Sequence, residues 1–460
     1  MKSLSSLLFA FLFIAHVEAQ MTFEKIISKG TSERGWSVIP TAEGGYAFLG
    51  DIIKSPTCDR WLVVTNYAGD TLWSKTFYGI GTDMTGDRAL VQSADSGFTF
   101  IANRNGKINL LHTSSTGDSI WEKEMCEGVG YSLSPTSDQG YVITGRDFTS
   151  TKVLVTTTNS QGDLVWSKDY HLVPPGFMTN YTSWSIKQAP DGGFIVAGEY
   201  QGFAFSIPYM LRIAASGDSL WYHAYWYSTL YDGKFYSVTA TENNCFIACG
   251  HVIVPYDDGM VMKVDGNGDT LWYRTLYHYG LQSFYSIRNT PDGGVVLCGS
   301  YGDQWFTNKV FLAKLSSSGD VLWEKQLGNY DRTTGLCVEP TTDNGYIISG
   351  QARLTPTSNY QGLLIKTDGE GNITGISEDK IQPLTRVFPN PVQDFLNIEC
   401  KEECFLSIYN QLGRSIFEKS IRQGVVSFDV SFLSTGFYCI KLFNEHGILY
   451  TGKIFKSDLY

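Results

Sequence analysis

The chain has 460 residues, of which 14% are aromatic and 18% are charged, and its 47 glycines far outnumber its 14 prolines. This composition is typical of a turn-rich all-β protein and argues against a disordered or largely helical one. The net charge of −11, without clusters of lysine and arginine, argues against nucleic acid and anionic membranes as partners.

Residues 1–19 have the organisation of a secretory signal peptide. Lys2 provides a positive start, residues 4–15 form an apolar core, and Val17-Glu18-Ala19 is a small-x-small cleavage site. With about twelve residues this core is too short to span a bilayer, and no later apolar run approaches the required length. We therefore expect cleavage after Ala19, an exported soluble chain and no transmembrane segment.

A pattern with a period near fifty residues fills the chain up to residue 367. Each of seven copies has an acidic turn, in most copies rich in glycine, before an apolar strand, and in six of them a Gly-Asp turn later leads into an aliphatic-Trp pair. The turns that open the apolar strand include Asp191-Gly192-Gly193 and Asp292-Gly293-Gly294, where glycine permits a tight hairpin. Six copies are complete, and their tryptophans are Trp73, Trp121, Trp166, Trp221, Trp272 and Trp323. Repetition at this period indicates a repeat fold.

Each complete copy contains four short strand patterns, and the seventh copy contains the first three. A small residue begins the first strand (Ser37, Ala89, Ser132, Ser185, Ser237, Ser286 and Cys337 in the seven copies), and the tryptophan lies on the fourth. Four antiparallel strands repeated radially predict an all-β fold, a seven-bladed β-propeller over residues 20–367. We interpret the tryptophan column as structural core, because it recurs at one strand position in each complete blade.

The seventh copy lacks its tryptophan strand. Phe23-Glu24-Lys25 resembles Trp323-Glu324-Lys325, which predicts that residues 22–28 supply the missing strand and close blade seven, residues 336–367. Such closure leaves no unpaired blade edge in the ring.

The connections fall into two groups on opposite faces. The Asp-Gly-Gly and Gly-Asp turns are short and uniform, whereas the loops on the other face vary in length and contain many aromatic residues. Variable loops on a constant scaffold commonly carry function, and exposed aromatic rings can stack on sugars or anchor a protein. The predicted ligand-binding residues are Tyr200, Phe203, Trp226, Tyr256, Asp257 and Trp305.

Residues 368–386 are rich in Asp, Gly, Asn, Thr and Pro and are predicted to be a linker. Residues 387–460 contain short strand patterns with turn signals about every ten residues, which predict a small β-sandwich. Its distinctive residues are Pro389, Asn390, Pro391, Leu396, Ile398, Gly413, Gly436 and Tyr438.

This segment resembles the type A C-terminal sorting domain of the type IX secretion system of Bacteroidetes. The resemblance rests on Pro389-Asn390-Pro391 followed by Leu396-x-Ile398, on Gly413-Arg414, on Gly436-x-Tyr438 and on the basic closing strand 453–456. It implies export by the type IX secretion machinery, removal of the domain, and release or attachment to the outer-membrane surface. The cysteines at 400, 404 and 439 depart from the family pattern.

The nine cysteines form two groups with different expectations. Cys249 and Cys298 occupy one repeat position, where other copies have modest side chains, and are expected to be inert core thiols. In the C-terminal segment, Cys400–Cys404 and Cys404–Cys439 are alternative pairings, which the sequence does not decide.

No motif in the chain predicts catalysis, a cofactor or a metal. The Asp265–Asp269 turn has alternating oxygen ligands but no glutamate at the bidentate twelfth position, so an ordinary hairpin is favoured over a calcium loop. The seven histidines lack metal-ligand spacing, and there is neither a Gly-x-Ser-x-Gly elbow nor a phosphate-binding loop.

Three functions are compatible with the sequence. We favour a secreted or surface-attached binding protein whose ligand is a glycan or a protein. The first alternative is a polysaccharide-active lyase or hydrolase, by analogy with other propellers. The second alternative is a structural surface protein.

Overall fold

The computed structural model describes residues 20–54, 57–81, 89–148, 151–172, 180–202, 206–225, 232–253, 257–276, 281–302, 308–373, 386–389, 391–400, 403–410, 414–444 and 447–457. Every regular element in these ranges is a β-strand. Within them no helix is long and apolar enough to cross a membrane. The predicted signal peptide lies outside these ranges. The chain divides into two compact units, Met1–Gly375 and Ile376–Tyr460.

The first unit contains strands β1 to β28, which form seven four-stranded antiparallel sheets. The strands in chain order are β1 (Phe23–Ile27); β2 (Glu33–Pro40), β3 (Tyr46–Lys54), β4 (Thr57–Thr65) and β5 (Thr71–Gly81); β6 (Leu90–Gln92), β7 (Phe98–Arg104), β8 (Lys107–Thr113) and β9 (Ser119–Glu127); β10 (Val129–Pro135), β11 (Tyr141–Arg146), β12 (Val153–Thr158) and β13 (Leu164–Tyr170); β14 (Asn180–Gln188), β15 (Phe194–Gln201), β16 (Ser206–Ile213) and β17 (Ser219–Ala224); β18 (Gly233–Ala240), β19 (Phe246–Ile253), β20 (Asp257–Val264) and β21 (Thr270–Leu276); β22 (Leu281–Asn289), β23 (Val295–Gly302), β24 (Asn308–Leu315) and β25 (Val321–Leu327); β26 (Arg332–Pro340), β27 (Tyr346–Arg353) and β28 (Tyr360–Thr367).

These sheets are the blades of a seven-bladed propeller. Blades one to six are β2–β5, β6–β9, β10–β13, β14–β17, β18–β21 and β22–β25, each in sequential order. Blade seven has the order β1-β28-β27-β26, so the first strand of the chain completes the last blade. The register pairs Phe23 with Lys366 and Ile27 with Gly362. The predicted all-β propeller fold is confirmed.

The first strands of successive blades pack against one another and form the inner wall of the ring. Strand β10 contacts β14, β14 contacts β18, and β26 returns to contact β2. The recurring small residue of each first strand pattern lies in this wall, and its side chain is fully buried in all seven blades. Hydrogen bonds join it to the next blade: Ile186 N–H to Ser132 Oγ (3.4 Å), Val238 N–H to Ser185 Oγ (3.2 Å), Ile287 N–H to Ser237 Oγ (3.2 Å), Val338 N–H to Ser286 Oγ (3.2 Å) and Cys337 Sγ–H to the Val38 carbonyl (3.8 Å). Full burial where the blades meet favours small side chains, in agreement with the Ser, Ala and Cys of this column.

The repeated tryptophan, interpreted from the sequence as structural core, packs against the hydrophobic core where one blade meets the next. Each ring is only partly buried, and in most blades it lies against the glycine of the following Gly-Asp turn. A Cβ on Gly162 would lie 2.4 Å from Cη2 of Trp121, and one on Gly117 would lie 2.6 Å from Trp73. Both glycines have positive φ. The glycine therefore provides both the turn conformation and the space that the neighbouring indole occupies.

A lysine two residues after the tryptophan extends the same contact. Lys75 Nζ lies 2.7 Å from Asp118 and Lys168 Nζ lies 3.0 Å from Asp218, each aspartate belonging to the Gly-Asp turn of the next blade. Lys25 of β1 makes the equivalent ion pair with Asp70. We call this set of contacts, from the tryptophan and lysine of one blade to the Gly-Asp turn of the next, the inter-blade latch.

The second unit is a two-sheet structure with its own core. Its strands are β29 (Arg386–Phe388), β30 (Phe395–Cys400), β31 (Cys404–Tyr409), β32 (Ser415–Ile421), β33 (Gly424–Asp429), β34 (Gly436–Asn444) and β35 (Gly447–Lys456). One sheet has the order β29-β30-β33 and the other β32-β31-β34-β35. Leu396 and Ile398, predicted as part of the sorting signal, are fully buried between them with Leu406 and Leu442. Asn390 and Gly413 lie outside the described residues.

Candidate functional site

Of the six predicted ligand-binding residues, Tyr200 is the one whose side chain the structure describes. Its side chain is fully buried, with ring centroids 5.1 Å from Tyr181 and 4.9 Å from Tyr209. It was expected in an exposed loop after Gly198, but β15 continues to Gln201. Alternation along the strand turns Tyr200 into the blade, so it is not an exposed surface aromatic.

The other predicted residues are not described at the level of side chains. Phe203, Trp226, Tyr256 and Trp305 lie outside the described residues, and Asp257 begins β20 without a described side chain. Their role stays a prediction.

A different set of aromatic residues converges at the inner wall of the ring. In six blades the first strand has a register shift directly before the buried small residue. The extra residues at these bulges are Trp36, Tyr131, Trp184, Tyr236, Tyr285 and Leu336. A bulge inserts one residue and redirects its side chain. Because the redirected rings of consecutive first strands contact one another, we infer that they lie on the axial side of the inner wall. The equivalent residue of blade two, Arg88, lies outside the described residues.

Four of these side chains contact one another across blades three to six. The ring centroids are 4.9 Å apart for Tyr131 and Trp184, 5.8 Å for Trp184 and Tyr236, and 5.1 Å for Tyr236 and Tyr285. All but Tyr131 retain partial solvent exposure, as do their counterparts in blades one and seven. We call Tyr131, Trp184, Tyr236 and Tyr285 the axial arc.

Two buried carboxylates hold the tryptophans of this ring. Trp184 Nε1–H donates to Glu199 at 3.2 Å, and Lys234 of the next blade lies 3.1 Å from the second oxygen of Glu199. In blade one, Trp36 Nε1–H donates to Asp51 at 2.8 Å. Both carboxylates are almost completely buried. Each therefore orients an indole ring towards the axis while a cation neutralises its charge.

The acid in blade one experiences opposing effects. Burial raises the pKa of Asp51 above its usual range, although ion pairing with Arg60 and the Trp36 hydrogen bond act in the opposite direction. Arg60 Nη1 lies 2.5 Å from Asp51, and the Arg60 side chain is fully buried. The pair is enclosed within the protein and serves to position Trp36.

Arginine side chains lie over two of the axial rings. The guanidinium of Arg34 is 5.9 Å from the centroid of Trp36, and that of Arg146 is 6.0 Å from the centroid of Tyr131. Both arginines are partly exposed. Cations at this distance interact favourably with aromatic faces and bring positive charge to the axial surface.

One histidine lies beside the axial arc. The ring of His251 is 5.5 Å from that of Tyr236, and both rings are partly exposed. Among the described residues, no group of three His, Cys, Asp or Glu side chains is close enough to hold a metal ion.

Grooves also occur on the opposite face, between neighbouring blades. Their volumes are about 410, 500 and 490 Å³, and each is lined by a latch tryptophan (Trp73, Trp323 and Trp121) and by the glycine-rich turn of the next blade. Because the same lining recurs at successive blade junctions, these grooves follow from the repeat and offer a ligand little that is distinctive.

The axial arc has a signal in the sequence, at the position directly before each buried small residue. Five of the seven residues that precede the buried small residue are aromatic: Trp36, Tyr131, Trp184, Tyr236 and Tyr285. Simple alternation from that small residue points these rings into the sheet packing. The bulges, which a pattern of local hydrophobicity does not reveal, point them at the axis instead.

Comparison with known proteins assigns the C-terminal unit and the fold of the rest. Residues 386–457 match the family model described as "Secretion system C-terminal sorting domain". No curated protein matches the chain.

Solved structures resemble the chain in fold at low sequence identity. A polysaccharide lyase of family PL25, an ulvan lyase bound to -[GlcA(1-4)Rha3S]-, has a TM-score of 0.54 at 6% identity and covers 76% of this chain and 97% of its own. Sqt1 from Chaetomium thermophilum has a TM-score of 0.48 at 10% identity and covers 75% and 99%. The Dos1 propeller has a TM-score of 0.44 at 10% identity and covers 77% and 98%. At these identities the likeness concerns the fold alone.

The sorting domain implies export to the cell surface or the medium. The chain is thus a seven-bladed β-propeller followed by a C-terminal sorting domain of the type IX secretion system.

Proposed function

We propose that the exported propeller is a binding protein that takes an acidic saccharide at the axial arc. The main support is that four aromatic rings from four consecutive blades form an unbroken row in which each ring contacts the next: Tyr131, Trp184, Tyr236 and Tyr285. Rings with an apolar face and a polar edge suit sugars, which have apolar faces and hydroxyl edges. Polar groups placed among such rings commonly orient a ligand.

The charges beside the axial rings of blades one, three and four favour an anionic ligand. The chain has a net charge of −11, yet Arg34 and Arg146 bring positive charge to the axial side. The two acids there, Asp51 and Glu199, are buried and each is paired with a cation. A saccharide carrying carboxylate or sulfate groups would therefore meet attraction at the arc and repulsion over most of the remaining surface.

The loop residues predicted from the sequence remain proposed contributors to the same binding function. Trp226→Ala and Trp305→Ala are expected to weaken binding without unfolding the ring. Substitutions on the uniform turn face, such as Asp191→Asn, are expected to leave binding intact.

The test is a glycan array probed with the full chain, followed by titration calorimetry on the strongest saccharide. Loss of an aromatic anchor commonly costs about 2 kcal/mol, or roughly 30-fold in Kd, and we expect this loss for Tyr285→Ala and Tyr236→Ala. Tyr67→Ala is the matched control, because Tyr67 is a tyrosine 61% exposed in a turn on the opposite face. Equal affinity of all three variants, or a preference for neutral saccharides, would contradict the proposal.

A polysaccharide-active lyase or hydrolase is the second candidate. His251 beside Tyr236 favours it, because both side chains can transfer protons. Incubation with a panel of acidic polysaccharides, monitored for new reducing ends and for unsaturated products, separates this function from binding alone. A chain that neither binds nor cleaves any saccharide would favour the structural surface protein.

A further inference from the structure

We propose that Cys400 and Cys404 form a disulfide that joins the two sheets of the sorting domain. Cys400 ends β30 in one sheet, and Cys404 begins β31 in the other. Their Sγ atoms lie 3.5 Å apart, and each residue is only 2% exposed. A change of side-chain torsion of modest size would bring the two sulfurs to bonding distance, which is about 2.05 Å.

The two cysteines lie where the chain passes from one sheet to the other, so a bond between them would connect the sheets. The chain crosses between the two sheets twice at this corner, once between Cys400 and Cys404 and once between Ile421 and Gly424. The register places Gly424 opposite Cys400 and Ile421 opposite Cys404. Cys400 Sγ also lies 3.9 Å from the carbonyl oxygen of Arg422, in the second crossing. A disulfide here would fasten the corner through which both connections pass.

The strand register excludes the alternative pairing of Cys404 with Cys439. Cys439 lies opposite Tyr409, five residues along β31 from Cys404. Five residues of strand span roughly 17 Å, whereas the Cα atoms of a disulfide lie about 4.4–6.8 Å apart. Cys439 is also exposed, unlike the other two. The structure thus selects one of the two pairings that the sequence left open.

Export supplies the conditions for the reaction. Proteins that leave the cytoplasm meet thiol–disulfide oxidoreductases, whose active-site disulfides are the oxidants we invoke. The thiolate of one cysteine attacks the oxidant's disulfide and forms a mixed disulfide. The second thiolate then displaces the oxidant, which leaves as a dithiol with the two electrons, while the pair loses two protons. Because both sulfurs are buried in the folded domain, this exchange takes place while the corner is still open during folding.

Peptide mapping of the full chain tests the bond directly. The full chain is collected from an oxidising compartment with its sorting domain still attached, trapped with iodoacetamide in denaturant without reductant, and digested. We expect a peptide linking Cys400 and Cys404, about 2 Da lighter than its reduced form, since two hydrogens are lost. Cys249, Cys298 and Cys439 should be alkylated. Alkylation of both Cys400 and Cys404, or a link from either to Cys439, would overturn the proposal.

A second experiment tests whether the disulfide stabilises the sorting domain by joining its two sheets. The measurement is the rate at which a protease cleaves that domain. Without reductant, Cys400→Ser should be cleaved several-fold faster than the native chain, and Cys439→Ser, the matched control, at the native rate. Dithiothreitol should bring the native chain to the rate of Cys400→Ser and leave that variant unchanged. If the native chain contains the Cys400–Cys404 disulfide but is cleaved at the same rate with and without dithiothreitol, the disulfide does not stabilise the domain by joining its sheets.

Discussion

Replacing Gly162 by alanine should destabilise the propeller through the inter-blade latch. Gly162 has a φ of +76°, and a Cβ there would lie 2.4 Å from Cη2 of Trp121 in the preceding blade. The left-handed conformation costs a residue with a Cβ roughly 1–2 kcal/mol. Displacing a packed neighbour adds about 1–3 kcal/mol. We therefore expect Gly162→Ala to lower the free energy of unfolding by about 2–5 kcal/mol.

Gly293→Ala separates the two contributions. Gly293 has nearly the same φ, +78°, but nothing lies within 4 Å of the position of its Cβ. Gly293→Ala should therefore lower the free energy of unfolding only by the cost of the left-handed backbone conformation, about 1–2 kcal/mol. If a ring of roughly 350 residues unfolds as one unit, an unfolding entropy of about 2.1 cal/mol/K per residue makes 1 kcal/mol equivalent to about 1.4 °C. The expected falls in Tm are then about 3–7 °C for Gly162→Ala and 1.5–3 °C for Gly293→Ala.

A double-mutant cycle with Trp121→Leu identifies the contact partner. In the leucine background the indole is gone, so Gly162→Ala should cost no more than Gly293→Ala does in the native chain. The measurement is calorimetric or circular-dichroism melting of all five proteins under reversible conditions. Equal losses for the two alanine variants, or an unchanged cost of Gly162→Ala without the indole, would show that the latch does not make this contact.

Three further predictions concern charge, closure and export. Burial opposes ionisation of Asp292, but hydrogen bonds from Lys314 and Thr290 lower its pKa to about 2. Its stabilisation is present above the usual carboxyl range and is lost as the pH falls through about 2. Asp292→Asn should therefore cost about 1 kcal/mol at pH 6, after allowance for solvent screening, and clearly less at pH 2 in urea titrations, because about half of the folded chains then have Asp292 protonated. Removing residues 20–29 takes β1 from blade seven and should cause aggregation or a large fall in Tm; an unchanged melting curve would contradict this role of β1. Deleting residues 387–460 should leave the chain inside the cell envelope, and normal amounts at the surface or in the medium on immunoblots would contradict its sorting role.

Local sequence patterns were sufficient to predict the architecture. Turn residues and alternating apolar residues act over a few positions, so each blade could be counted from its Asp-Gly-Gly and Gly-Asp turns. The likeness of Phe23-Glu24-Lys25 to Trp323-Glu324-Lys325 located the strand that pairs with β28. The sorting domain was evident for the same reason, because Pro389-Asn390-Pro391 and Leu396-x-Ile398 are close together in the chain.

The candidate site depended on contacts that no local pattern contains. Tyr200 is buried because β15 extends beyond Gly198, a length that pairing with the neighbouring strands decides. The axial arc exists because bulges reverse the direction of Trp184 and its counterparts, and because four blades bring those rings together.

The sequence by itself determined which segments become strands, how many blades they form and where the exported tail begins. Only the tertiary structure decided what the repeated and paired residues do. Five of the six tryptophans lie against a turn glycine of the next blade, more than forty residues away in the chain. The register of β31, β32 and β34 placed Cys404 beside Cys400 and far from Cys439. The physical reason is that strand propensity is local, whereas packing and register are set by the strands that meet in the fold.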